Sequence, residues 1–274
     1  MSPSLRAGNG AVVGELDGRE RWRYAYADAP KPYIHPLRSP AGLVLSDSEP
    51  DDHPWQRGLW FAIKFVDGCN FWEERPPFGR QVTRGHPELD GTTLRTAVDW
   101  LPPGRDAPVL EETRALAFRP WDERAYLLDV TVRLRAARGL VLERTPFTTW
   151  GGYGGLTMRG TPEWTAARIT LADGSSPGRP IGQRARWADL AGRFDDGRWA
   201  GVALLDHPGN PRHPTPWYGG TDPYGYLNAA LLFHEPLTLA AAEELALDYR
   251  VIVHDGLLDV EVIESAHADL AGRR

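Results

Sequence analysis

The chain reads as all-β, a large two-sheet antiparallel β-sandwich of the supersandwich kind with little helix. Three observations predict it. The dominant hydrophobic period is two residues, helical periodicity is nearly absent, and Gly, Pro and Asp interrupt the apolar runs at short intervals. Period two sends successive side chains to opposite faces, so an alternating strand buries one face and wets the other.

The elements follow in chain order. In "LWFAIKF", Leu59, Phe61, Ile63 and Phe65 share one face, with Trp60 and Ala62 on the other. "TTLRTAVDW" aligns Leu94, Thr96, Val98 and Trp100. In "AYLLDVTVRLRA", Tyr126, Leu128, Val130, Val132 and Leu134 oppose Asp129, Thr131, Arg133 and Arg135. "RWAGVALLD" is apolar on both faces, which suits a central strand covered on two sides. "LALDYRVIVHDG" alternates again, through Leu245, Leu247, Tyr249, Val251 and Val253. Helix is expected only as a turn or two in "LTLAAAEELAL" and at the C-terminus in "SAHADLAGRR". No linker, composition shift or repeat divides the chain, so residues 1–274 are read as one sandwich domain with Greek-key or meander connections. A closed barrel is the alternative.

Composition narrows the function. A net charge of −6 argues against nucleic-acid partners, which call for a basic stripe. Apolar runs such as "LNAALLF" fall far short of the ~18–20 residues that span a bilayer, and the N-terminus lacks the apolar core of a signal peptide. A cytoplasmic protein with no membrane partner is therefore expected. Cys69 is the only cysteine, which excludes an internal disulfide and a Cys-based zinc cluster. No cofactor and no tightly held transition metal are expected, while an oxygen-ligated Mg or Ca ion near Asp51, Asp52 and Glu73 stays open. The cations are almost all Arg, with Lys31 and Lys64 the exceptions, a composition of the GC-rich, actinobacterial type. Assembly into a homo-oligomer is left open.

Four loop-like clusters carry the polar chemistry: "KPYIHPLRSP", "DDHPWQRG", "TTWGGYGGL" and "LDHPGNPRHPTPWYGG". Asp-His-Pro occurs in two of them, at Asp52-His53-Pro54 and Asp206-His207-Pro208, each beside an apolar strand. In an extended segment His53, Trp55 and Arg57 point to one side. An imidazole can move protons near neutral pH, and a guanidinium can hold a carbonyl, carboxylate or enolate oxygen. The catalytic candidates are thus His53 and His207 as an acid/base pair, with Arg57 stabilising an oxyanion. Trp60 and Trp217 offer stacking surfaces, and His35, Trp55, Glu73, Tyr153, Asn210, Arg212 and His213 complete a binding wall. The plainer alternatives are loop histidines that only hydrogen-bond, and tryptophans that belong to the core. "GGYGG" lacks the Lys-Ser/Thr of a phosphate loop, and the His207…His213 spacing matches no standard metal site.

The order of "KPYIHPLRSPAG", "DDHPWQRGLWFA", "CNFWEE", "GGYGGLTMRG", "RARWADLAG", "GVALLDHPGNPRHPTPWY" and "LALDYRVIVHDG" resembles the bacterial family labelled "methane oxygenase PmoA-like", a domain of unknown function. The resemblance runs from about Tyr33 to Asp255. It implies a soluble sandwich similar to galactose-mutarotase-type folds, which bind sugars in a concave sheet and use His and Glu. It also implies carbohydrate metabolism, because members of the family tend to accompany sugar oxidoreductases. Methane oxidation itself is set aside, since the chain has no long apolar spans. One departure stands out: where the family has a second His, this chain has Gln56.

The function expected first is an isomerase- or lyase-type enzyme on a carbohydrate or oxidised glycoside, working by epimerisation, ring opening or β-elimination. A non-catalytic sugar-binding or sensing domain is the second reading. A specialised biosynthetic cyclase, isomerase or lyase on a non-sugar substrate is the third. In each the partner is a small molecule, sugar-like in the first two.

Overall fold

The structure, a computed structural model, describes residues 1–145 and 154–272. Two nine-stranded sheets, antiparallel at every pairing, make up most of it. The first runs in the order Pro3–Gly8, Ala11–Leu16, Arg19–Ala25, Tyr33–Leu37, Leu59–Ile63, Gly154–Arg159, Tyr226–Ala229, Pro216–Gly220 and Ile181–Arg184. The second runs Ala166–Leu171, Trp187–Arg193, Trp199–Asp206, Glu244–Asp255, Ala125–Arg135, Leu110–Asp122, Thr93–Leu101 and Arg80–Thr83, with Glu88–Asp90 also paired to Thr93–Leu101. A small sheet of Leu237–Leu239, Leu140–Glu143, Phe65–Val66 and Cys69–Asn70 sits beside them.

The alternating segments do what their pattern predicts. Tyr126, Leu128, Val130, Val132 and Leu134 all enter the core between the sheets, as do Leu245, Leu247, Tyr249, Val251 and Val253. On the opposite face Asp129 takes Arg119 Nη2 at 2.7 Å and Arg250 Nε at 2.6 Å. Trp199–Asp206 is central, between Trp187–Arg193 and Glu244–Asp255. Its Val202 and Leu204 face the first sheet, while Ala203 and Leu205 lie under the helix Val260–Ala271. Buried Arg250 fastens that helix, donating to Ala266 O and Asp269 Oδ2, both at 2.8 Å.

Three expectations are corrected. The C-terminal helix begins at Val260, earlier than "SAHADLAGRR". No helix forms in "LTLAAAEELAL", because the segment turns tightly between Leu237–Leu239 and Glu244–Asp255 with Ala242 at φ 62°. Phe65 does not continue the inward face of Leu59, Phe61 and Ile63: the chain bends at Lys64, and in Phe65–Val66 it is Val66 that is buried.

Candidate functional site

The opening of the site is set by the excursion between Tyr33–Leu37 and Leu59–Ile63. It is built on turns, with His53 N donating to Pro50 O at 3.0 Å and Gln56 N to His53 O at 2.9 Å. Turns replace the extended geometry expected for this segment, so His53, Trp55 and Arg57 do not act as neighbours on one strand face. Gly58 closes the excursion at φ 62°, where a Cβ would stand 2.3 Å from Ile34 O.

His53 is half-exposed, its Nδ1 2.8 Å from Asp52 Oδ2. Its ring meets Trp55 and Tyr224 edge-on, at centroid distances of 5.3 and 5.6 Å. Asp52 also takes both terminal nitrogens of Arg159, at 3.2 and 2.9 Å. Burial alone would raise the Asp52 pKa, but the hydrogen bonds from His53 and Arg159 outweigh it and hold the carboxyl low. Arg159 is buried, donates at 2.8 Å to the buried Gln56 Oε1, and stacks 3.5 Å above the Tyr224 ring. Gln56 therefore serves as an acceptor for a buried cation.

Asp52, Arg159 and Tyr224 line a cleft of about 440 Å³, together with Asp47, Trp164, Asp222 and the hydroxyls of Thr161, Thr165 and Thr221. His53 and Gln56 are held by residues of its wall and are not themselves lining residues. Trp164 lies against glycines of both sheets. A Cβ on Gly192 would fall 1.9 Å from its Cδ2, and one on Gly160 2.2 Å from its Cζ3.

Arg57 occupies a separate, buried ion network. Its Nε donates to Glu74 Oε1 at 2.8 Å, its Nη2 to Glu74 Oε2, and its Nη1 to Glu49 Oε1 at 2.7 Å. Lys31 joins at 3.2 Å from Glu74 Oε1 and donates to Trp72 O at 2.6 Å. Burial pulls the Lys31 pKa down to about 8 against the opposing pull of Glu74. Burial pushes Glu74 up, but Arg57 and Lys31 hold it below the usual carboxylate range. Glu73 pairs with Lys64 at 2.9 Å. Trp60 is buried on the outer face of the first sheet against Trp72 and Tyr226. His35 is half-buried with Nδ1 2.9 Å from Ser46 Oγ, and desolvation lowers its pKa.

The second Asp-His-Pro motif is wired differently. Asp206 is buried and turns its carboxylate into its own loop, accepting from Asn210 Nδ2 at 2.8 Å and Thr215 N at 3.0 Å and meeting His213 Nδ1 at 2.8 Å. Asn210 also bonds both main-chain groups of Asp248, and His213 stacks on His267 of the helix. His207 Nδ1 accepts from Gly209 N at 2.9 Å. Arg212 donates to three carbonyls, of Leu231, Glu235 and Pro236. Trp217 is 0% exposed in the inter-sheet core with its N–H on Ala185 O, so it has no face for a ligand. The partners described for the two motifs do not overlap. Tyr153 lies outside the described residues.

Sequence reasoning missed Arg159, Trp164, Tyr224, Asp47 and Asp222. One signal was available for Arg159: a lone cation ending the apolar strand "GGLTMR" needs a partner. Among the described residues no three His, Cys, Asp or Glu side chains are grouped to hold a metal ion, and no helix is long and apolar enough to cross a membrane.

Fold and cleft together define a class: large antiparallel β-sandwiches with a polar, aromatic-walled cleft where the two sheets meet. Residues 11–268 match a family of unknown function, DUF6807, and the chain belongs to that family. The match attaches no activity, so the methane-oxygenase label of the sequence resemblance gains no support from it. No curated protein matches the chain. Among solved structures, a galactose mutarotase related enzyme from Lactobacillus acidophilus aligns over 92% of this chain and 97% of its own, at 9% identity and a TM-score of 0.38. Likeness at that level says nothing about substrate or mechanism.

Proposed function

We propose that the chain is a small-molecule enzyme whose cleft holds a sugar-like ligand and whose His53–Asp52 pair moves a proton to or from it. The observation that carries this reading is that Asp52, which lines the cleft, holds the His53 ring by its Nδ1. With Nδ1–H given to Asp52 Oδ2 at 2.8 Å, the tautomer leaves Nε2 as the proton acceptor. Of the three groups that contact the His53 ring, Asp52 and Tyr224 line the cleft and Trp55 does not. Carboxylates, hydroxyls and an aromatic wall are the groups that bind polyhydroxylated rings.

The oxyanion role expected of Arg57 finds no support, because all three of its nitrogens face Glu49 or Glu74. Proton transfer at a ring or anomeric oxygen, as in ring opening, needs no such cation and fits better than enolate chemistry. The shared inter-sheet core supports treating the chain as one domain. The test is anomer interconversion and solvent-deuterium exchange, followed by NMR over a panel of aldoses. His53→Gln and Asp52→Asn should each slow turnover by ~10²-fold with binding retained. Wild-type rates in both variants would sink the proposal. A non-catalytic sugar binder is the second reading, favoured by His53 not being among the described residues that line the cleft; ligand binding with no turnover of any aldose would select it.

A further inference from the structure

The charges around the cleft bear on which ligand it accepts. Among the described residues its lining holds three carboxylates, Asp47, Asp52 and Asp222, against one cation, Arg159. Asp52 is committed to His53 and Arg159. Asp222 is exposed, and no hydrogen bond or ion pair to a described residue engages its carboxylate. Asp47 meets Arg159 only loosely, with Oδ2 4.0 Å from Nε.

Arg159 has little to give an anion. Both terminal nitrogens are bonded to Asp52 or Gln56, and its face is covered by Tyr224. The remaining N–H, at Nε, is buried and has no hydrogen-bond partner among the described residues. A ligand hydroxyl between Nε and Asp47 Oδ2 would accept from the first and donate to the second. A carboxylate or phosphate oxygen there would satisfy Nε but repel Asp47, and away from bulk water that repulsion grows several-fold. An ammonium, by contrast, gains charge-assisted hydrogen bonds from Asp47 and Asp222.

We infer that the cleft selects neutral and amino-bearing sugars over sugar acids and phosphates, with Asp47 and Asp222 setting the preference. This rests on the sugar-binding reading above. The full chain is titrated calorimetrically with matched neutral, amino and uronic members of the gluco, galacto and manno series. Within a series that binds, the uronate should be at least ~10-fold weaker than the neutral sugar, and the amino sugar as tight or tighter. Asp47→Asn/Asp222→Asn should narrow the gap to about threefold. Asp222→Asn alone, at an exposed position, should narrow it in part and keeps the test clear of any folding defect. A uronate that binds wild type as tightly as its neutral counterpart overturns the inference and leaves the sugar reading standing. So does a gap that neither variant changes. Binding by none of the nine sugars overturns the sugar reading, and this inference with it.

Discussion

Glu74 is the carboxylate on which two buried cations depend, and its loss should be felt through the whole rim. The side chains of Lys31, Arg57 and Glu74 are 2%, 7% and 14% exposed. Glu74→Gln keeps the shape but sets an amide against donors that now lack a counter-charge. Arg57 would retain Glu49, which is 60% exposed and so offers a weak, screened pair. Lys31 would retain only the Trp72 carbonyl among its described hydrogen-bond acceptors. Breaking a buried pair by removing one partner costs about 3–5 kcal/mol. For a chain of this size that corresponds to a fall of about 10 °C in Tm. Urea unfolding followed through the tryptophan fluorescence measures it. Adding Lys31→Met to Glu74→Gln should recover about half of the loss, because one stranded charge is removed with its partner. An E74Q protein within about 1 kcal/mol of wild type would refute the reasoning, since a network so little missed cannot be what holds this rim.

Two further predictions follow from the same structure. Gly192→Ala should cost about 1–3 kcal/mol and alter the near-UV circular dichroism, because its Cβ would meet the body of the Trp164 ring at 1.9 Å. Lys31 gives a pH signature. Its pKa is about 8 when folded against an ordinary value of 10.5, so the unfolded chain binds more protons between the two. The stability this group contributes is full above the unfolded value and is lost as pH falls through the folded one. It amounts to roughly 3 kcal/mol across the window. Lys31→Met should lack this rise in denaturation curves taken from pH 8 to 10.5, and an identical slope in both proteins would refute it.

The strands of the second sheet were legible because one face meets the inter-sheet core while much of the other carries charge, as in Ala125–Arg135 with Asp129 and Arg133 facing away from the core. The first sheet hides its logic. Leu59–Ile63 and Gly154–Arg159 are buried throughout, so period two cannot say which face belongs to the core and which to an outer cluster. Trp60 and Trp217 therefore looked alike in sequence, yet one packs in the outer aromatic cluster and the other lies between the sheets. The two Asp-His-Pro motifs were equally alike. What separates them is the partner each carboxylate finds: Asp52 reaches Arg159, 107 residues away, while Asp206 turns back on Asn210 and Thr215 of its own loop, which Asn210 ties to the Asp248 strand. Pairings such as Gln56 with Arg159, 103 residues apart, leave no local mark.

Trp164 rests on Gly160, which follows a strand of one sheet, and on Gly192, within a strand of the other. The ring is thus a spacer at the seam as well as a wall of the cleft. Drift in the core that moves the sheets by a fraction of an ångström also resizes the place where a ligand would sit. Substitutions chosen for thermal resistance and substitutions chosen for a new ligand would then compete for the same few positions. An adaptive path to a different substrate would be expected to pass through Gly192, which backs the Trp164 ring without lining the cleft.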